Sequence, residues 1–261
     1  MSDSRNTSSP APESKGLWKH SRVIVVTVIV LGIVVLTGYH YRYHLLWQYA
    51  SIRPGFADVK SIPSGPMPAI PIPGDWLACE VGCIRFSLPP ELAENSTVHK
   101  PDGSLATFQD DTRTVIVQTY DAEEFSGLFS GLVLSASTLS PQPQTFTFPR
   151  LRQACYQTSA DDFRWSMTPG EARWHSFCIA TTKSIRIHSD GHTESLFGDD
   201  FDGFAHFHGS AVVFHWQCNR RGSGGYMHII DRGDREDTNW IRAICCSAHC
   251  IVESSEGMKS N

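Results

Sequence analysis

Apolar and polar positions change their period several times along this chain. From Val23 to Tyr39 there is no period at all: VIVVTVIVLGIVVLTGY is seventeen residues without a charge. As a helix it would be roughly 25 Å long, the short end of a bilayer span. Trp18 precedes it, and Tyr39, Tyr41, Tyr43 and Trp47 close it, as interfacial aromatic belts do. The pattern predicts a single transmembrane helix over 23–39. The bulky LTGYHYRYH that follows has no small-residue cleavage pattern, so an uncleaved signal-anchor is expected rather than a signal peptide. Residues 1–22 are Ser/Pro-rich and polar and are read as a disordered tail. Residues 40–75 hold six prolines between Pro54 and Pro73, a spacing that favours extended chain and predicts a semi-rigid stalk.

From residue 76 to 261 the periods are those of a folded domain. CIRFSLPPEL alternates and stops at Pro89-Pro90, placing a strand at Ile84–Leu88. LATFQDD and RTVIVQTYD are separated by a polar break at Asp110–Arg113 and predict a hairpin. The period then becomes helical: Asp121 is a cap, Glu123 and Glu124 suit a first turn, and Phe125, Leu128, Phe129 and Leu132 form one face. Residues 135–150 read as a loop. Thr168, Pro169 and Glu171 make a capping-box opening for a second helix. Strands are expected at SIRIHSD, DGFAHFHG, AVVFHWQCN and YMHIID, with RRGSGG as a turn. DTNWIRAICCSAHC predicts a closing helix behind Asp237, with Ile244 and Cys245 on its packed side. The fold class is therefore α+β, a mainly antiparallel sheet packed with two or three helices.

Charge adds an orientation. Lys15, Lys19 and Arg22 lie close before the apolar run, whereas Arg42 and Arg53 follow at greater distance. This bias predicts a cytoplasmic N-terminus and an extracytoplasmic C-terminal domain. Residues 75–261 carry fifteen Lys/Arg against twenty-four Asp/Glu, a net of −9. Such a domain is poorly suited to phosphate backbones, and no nucleic-acid partner is expected. The partners expected are the lipid bilayer, through residues 23–39, and a protein. All eight cysteines follow the apolar run, so disulfides are permitted, with about 105 complete pairings. Asn95-Ser96-Thr97 fits a glycosylation sequon.

The FSLPPEL opening, the FQDD and VIVQTYD strand pair, the consecutive C-terminal strands and the closing helix resemble the PsbP-like α/β/α sandwich, over about Ile84 to Cys250. That resemblance implies a binding or assembly role rather than catalysis. The anchor and the many cysteines depart from the family's pattern, and no functional residue is carried over.

Two residue clusters point to metal chemistry. Cys246, His249 and Cys250 share a helix face at i, i+3, i+4, and with Cys79 and Cys83 they offer a tetrahedral zinc set. A disulfide through Cys246 or Cys250 is the competing use. His206 and His208 share one strand face, with His215 and His228 on neighbouring strands, a face suited to copper or zinc. The alternative is that these imidazoles are solvent-facing positions alternating with Phe204, Phe207 and Phe214. Asp199, Asp200 and Asp202 in GDDFDG lack a complete calcium-loop frame and read as an acidic turn. No G-x-S-x-G or P-loop is present, and neither a catalytic residue nor a cofactor is expected. The expected function is a single-pass membrane-anchored protein whose extracytoplasmic domain binds or scaffolds a partner. The rival is a membrane-tethered metal-dependent or redox enzyme using the His and Cys clusters.

Overall fold

A computed structural model describes residues 23–39, 59–141, 145–164, 166–186, 191–233 and 238–251. The chain divides into two compact units, residues 1–46 and 47–261. In the first, residues 23–39 form α1. Its Val, Ile and Leu side chains are 53–70% exposed, and the Thr27 hydroxyl donates to the Val23 carbonyl at 2.8 Å. Among the described residues no helix is long and apolar enough to cross a membrane.

The second unit is α+β. In chain order its elements are β1 (Ser64–Pro66), β2 (Leu77–Val81), β3 (Ile84–Leu88), α2 (Pro90–Ala93), β4 (Ser96–Val98), β5 (Leu105–Gln109), β6 (Arg113–Tyr120), α3 (Ala122–Leu139) and α4 (Phe148–Gln157). There follow a 3-10 turn (Ala160–Asp162), α5 (Pro169–Arg186), β7 (His192–Phe197), β8 (Phe201–His208), β9 (Ala211–Cys218), β10 (Gly224–Asp231), α6 (Asn239–Ser247) and β11 (His249–Cys250). Eight strands form the main sheet in the order β1-β7-β8-β9-β10-β6-β5-β4, antiparallel except for β1 against β7. A small antiparallel sheet, β11-β3-β2, lies apart from it in the hydrogen-bonding order.

The main sheet is covered on both faces, and its alternation follows from that. On β9, Val212, Phe214, Trp216 and Cys218 are buried in the main core with Phe86 and Leu88 of β3 and Ile241, Ile244 and Cys245 of α6. Val213, His215 and Gln217 point to the other face and are half-buried. That face receives α4, on which α5 and α3 pack in turn. A second small core of Ala136, Phe146, Leu151, Cys155, Trp174 and Cys178 holds those three helices together.

Local signals explain most element ends. Asp121 caps α3 by accepting from Glu124 N at 2.8 Å. Thr168 and Glu171 complete a reciprocal box at α5, at 2.7 and 3.3 Å. Gly82, at φ 52°, turns the two-residue β2–β3 loop, and a Cβ there would run into the Thr119 hydroxyl.

The structure corrects several expectations. The stretch read as a stalk enters the domain from Val59 onward: Val59, Ile62 and Met67 are buried, and Ser64–Pro66 supplies edge strand β1. Residues 40–58 lie outside the described residues. The predicted loop at 135–150 is helix to Leu139 and from Phe148. The start of SIRIHSD belongs to α5, which runs to Arg186, while residues 187–190 lie outside the described residues. The strand in this region is instead His192–Phe197. The closing helix ends at Ser247, because Ala248 turns to φ −69°, ψ 129° and starts a short strand paired with β3. Asp237, the expected cap, lies outside the described residues; Thr238 takes the cap position.

That short strand carries a covalent link between the two sheets. Cys250 of β11 is disulfide-bonded to Cys218 of β9, across 32 residues, with Cα atoms 5.9 Å apart. Closing a loop of that length restricts the unfolded chain by roughly 3–4 kcal/mol. We expect Cys218→Ser with Cys250→Ser to lower unfolding free energy by about that amount, measured by denaturant unfolding. Thiol titration of the denatured wild-type chain should find six free cysteines, rising to eight only after reduction.

Candidate functional site

The helix-facing side of the main sheet is positioned by the first turn of α4. Asp202, fully buried on β8, accepts from Arg150 Nε at 2.8 Å, Arg150 Nη2 at 3.1 Å and Thr147 Oγ1 at 2.7 Å. The Asp202 carboxylate raises the pKa of Arg150, chiefly by this hydrogen bonding. Next to it Phe148 N donates to Gln217 Oε1 at 2.8 Å, and further along Gln153 Nε2 reaches Ser195 Oγ at 3.1 Å. A buried carboxylate without a cation would be strongly unfavourable, so this pairing sets where α4 lies.

With α4 so fixed, Arg152 faces β9 and the rows beside it. Its Nη2 donates to Tyr156 Oη at 3.1 Å, and its guanidinium lies 5.1 Å from the Tyr156 ring and 5.9 Å from the Phe148 ring. Its Nε is buried and has no hydrogen-bond partner among the described residues. Among the described residues no carboxylate pairs with Arg152. Tyr156 is fully buried, its ring 5.3 Å from Phe204 and 5.0 Å from His206. His215 sits edge-on to Phe148 at 5.5 Å and 6.3 Å from Tyr226, whose hydroxyl donates to Gln118 Oε1 at 2.8 Å.

Cross-strand register makes a floor from these positions. Gln118, Tyr226, His215 and Phe204 lie in one row, and Ile116, His228, Val213 and His206 in the next. Tyr226, Gln118, His228, Ile116 and Val213 are all half-buried, because α4 covers β8 and β9 while α3 touches only part of β10 and β6. Burial is the main force on the two inner imidazoles. It lowers His206 to about 4, helped by His208, Arg152 and His192, and lowers His215 to about 3, helped by Arg152 and His206. Among the described residues, Arg152 is a permanent cation that acts on both.

The candidate ligands separate on this geometry. His206, His208 and His215 occupy the helix-facing side, with the His206 and His208 rings 6.2 Å apart. His206 is buried rather than solvent-facing, and Phe204 shares its face, since both occupy even positions of β8. His208 is exposed at the strand end. The cysteine set is on the other side. Cys246 is half-buried on α6, its Sγ 3.5 Å from the Pro68 carbonyl, and Cys245 is buried in the core, which pushes its thiol pKa well up. His249 is exposed on β11, Nδ1 at 2.8 Å from Ser247 O, and Cys250 is spent in the disulfide. Cys246, His249 and Cys250 do not share a helix face, because the helix ends between them. Among the described residues no group of three or more His, Cys, Asp or Glu is arranged to hold a metal ion. Asp202, counted in an acidic turn, is the anchor of α4, and Asp200 pairs with Arg220.

The sequence does not mark Arg152 and Tyr156 as site residues, because residues 135–150 read as a loop and nothing there announces α4. The one available signal was Leu151 and Cys155 at i, i+4, flanked by arginines. A recess of about 310 Å³ beside Trp174 contains Asp162 and His175. Both are already engaged, Asp162 by Ser159 N at 2.8 Å and His175 with the Glu171 carbonyl at 2.9 Å. No known family model matches the chain, and no curated protein does.

Two outcomes follow. Arg150→Ala should cost about 3–5 kcal/mol by stranding the Asp202 carboxylate, and the Arg150→Ala/Asp202→Ala double variant should cost less than that single change in denaturant unfolding. The second concerns pH. The unfolded chain protonates histidine near 6.5, whereas folded His206 stays neutral to about 4, so the unfolded state binds more protons between those values. Stability therefore falls as pH drops through that window, by up to ~1.4 kcal/mol per pH unit for one imidazole. Thermal unfolding from pH 7.5 to 4.5 should show this slope, to which His215 adds in the same direction, and His206→Gln should reduce it to the His215 share. The Glu171 carboxyl, whose pKa Thr168 hydrogen bonds lower, acts only at more acid pH.

Proposed function

We propose that this is a single-pass membrane-anchored protein whose extracytoplasmic α+β domain binds a partner through the helix-facing side of its main sheet. The observation that carries the binding role is the half-buried floor of Tyr226, Gln118, His228, Ile116 and Val213 beside a guanidinium without a carboxylate. Such a surface joins aromatic and apolar area to a few convergent polar groups, the usual make-up of a ligand site. The anchor is supported by α1, whose apolar side chains lie all round it and whose Thr27 hydroxyl is bonded back into the helix as hydrocarbon requires. The Cys218–Cys250 disulfide supports an oxidising compartment for the domain. The likeness to PsbP-like domains remains part of the proposal and rests on element order alone. The metal or redox enzyme is the weaker reading, since the sheet stands between the imidazoles and the terminal cysteines of the proposed ligand set.

Topology is read with full-length chain in membranes. We expect resistance to alkaline carbonate extraction. A reporter fused after Asn261 that is active only outside the cytoplasm should give signal; activity of a cytoplasm-only reporter there would reverse the orientation and remove the compartment argument.

A further inference from the structure

We propose that Arg152 is the recognition group of a binding site for the carboxylate of a small organic acid, whose body lies on the sheet floor of Tyr226, Ile116 and Val213. The inference rests on the binding role proposed above and gives it a ligand chemistry.

The two arginines of α4 have different fates. Arg150 is neutralised by Asp202 through two hydrogen bonds. Arg152, two residues on, has only the Tyr156 hydroxyl and two aromatic faces. A guanidinium has five N–H donors, and this one spends a single donor on a neutral oxygen. Its Nε is buried without a partner, whereas Nη1, equally unbonded among the described residues, is not among the buried atoms and stays within reach of solvent. Half-burying a permanent cation between rings without an anion is costly unless an anion arrives.

The surroundings select which anion. Among the described residues, the groups that shift His206 and His215 are Arg152, His208, His192 and each other. Arg152 is the permanent cation of this set, so the site carries positive charge within a domain of net negative charge. Because both inner imidazoles are held neutral, the site offers one formal positive charge. One carboxylate matches it through paired N–H···O bonds, whereas a phosphate near −2 would be only half compensated. The floor continues from this charge as an aromatic and aliphatic surface, with Gln118 and His228 at its sides as polar markers. An acid with a planar or branched apolar body fits that sequence of groups.

The test uses full-length chain, ¹⁵N-labelled at arginine, in nanodiscs of zwitterionic lipid at pH 7 and constant ionic strength. The Nε–Hε signal of Arg152, assigned by its loss in Arg152→Lys, is followed while benzoate, benzamide or inorganic phosphate is added. We expect a saturable shift with benzoate, none with benzamide, and benzoate stabilisation against heat that weakens roughly tenfold or more in midpoint concentration in Arg152→Gln. Arg152→Lys should retain part of it, which separates lost charge from lost fold. No shift with benzoate, or a phosphate shift at lower concentration than benzoate, would overturn the carboxylate assignment. A soluble paramagnetic agent distinguishes the deeper failure. If it broadens the Tyr226 and His228 ring signals while benzoate does nothing, the ligand chemistry alone is wrong. If those rings are untouched, the floor is closed and the proposed binding role falls with it.

Discussion

A carboxylate buried to zero exposure has to be neutralised, and the helical side of this domain is arranged around that requirement. Asp202 sits inside the central sheet, and Arg150 with Thr147 answers it from the start of α4. That pairing fixes the position of α4 over β8 and β9. The other helices then pack on α4 more than on the sheet, through Leu151, Cys155, Trp174 and Cys178. One arginine is consumed by the anchor, and the geometry of a helix carries the next, Arg152, round to a face with no acid. The candidate site is a by-product of the clamp.

The opposite face obeys a different constraint. There the sheet meets a nearly wholly apolar layer, in which Phe86 stands edge-on to Phe108 at 5.8 Å and α6 inserts Ile241 and Ile244. There an ion pair of Glu194 with Arg242 at 2.7 Å ties α6 to β7, and Phe207 lies beneath Arg242 and is stacked on His192. The disulfide closes the same layer at its far end. One side of the sheet is thus fastened by packing and a covalent bond, and the other by charge. Only the charged side is left partly open.

Much of the scaffold could be read along the chain. The bounds Ile84–Leu88 coincide with β3, and the alternation around Phe204, Phe214 and Met227 marks β8 to β10, because strands with two unequal faces must alternate. Asp121 and the Thr168–Glu171 pair mark two helix starts because a cap is a local hydrogen bond. α4 escaped notice for the converse reason. FPRLRQACYQ is short and opens on a proline with no side-chain cap, and its place is set by Asp202, Gln217 and Ser195, which are 42 to 69 residues away from their partners. The two-residue strand β11 is likewise a consequence of Cys250 meeting Cys218 and Ile84, not of any propensity in AHC.

Periodicity and composition by themselves determined the α+β class, the antiparallel strand run, the cap-marked helices and the apolar segment over 23–39, since each depends on neighbours in sequence. They also brought His206, His208 and His215 to one side of one sheet. Only the tertiary structure decided that the terminal cysteines lie across the sheet from those imidazoles, and that Cys250 bonds to Cys218. It alone decided that of two arginines two residues apart, Arg150 has a carboxylate partner and Arg152 has none among the described residues. Partnering of charges is set by which elements pack together, and no spacing along the chain encodes it.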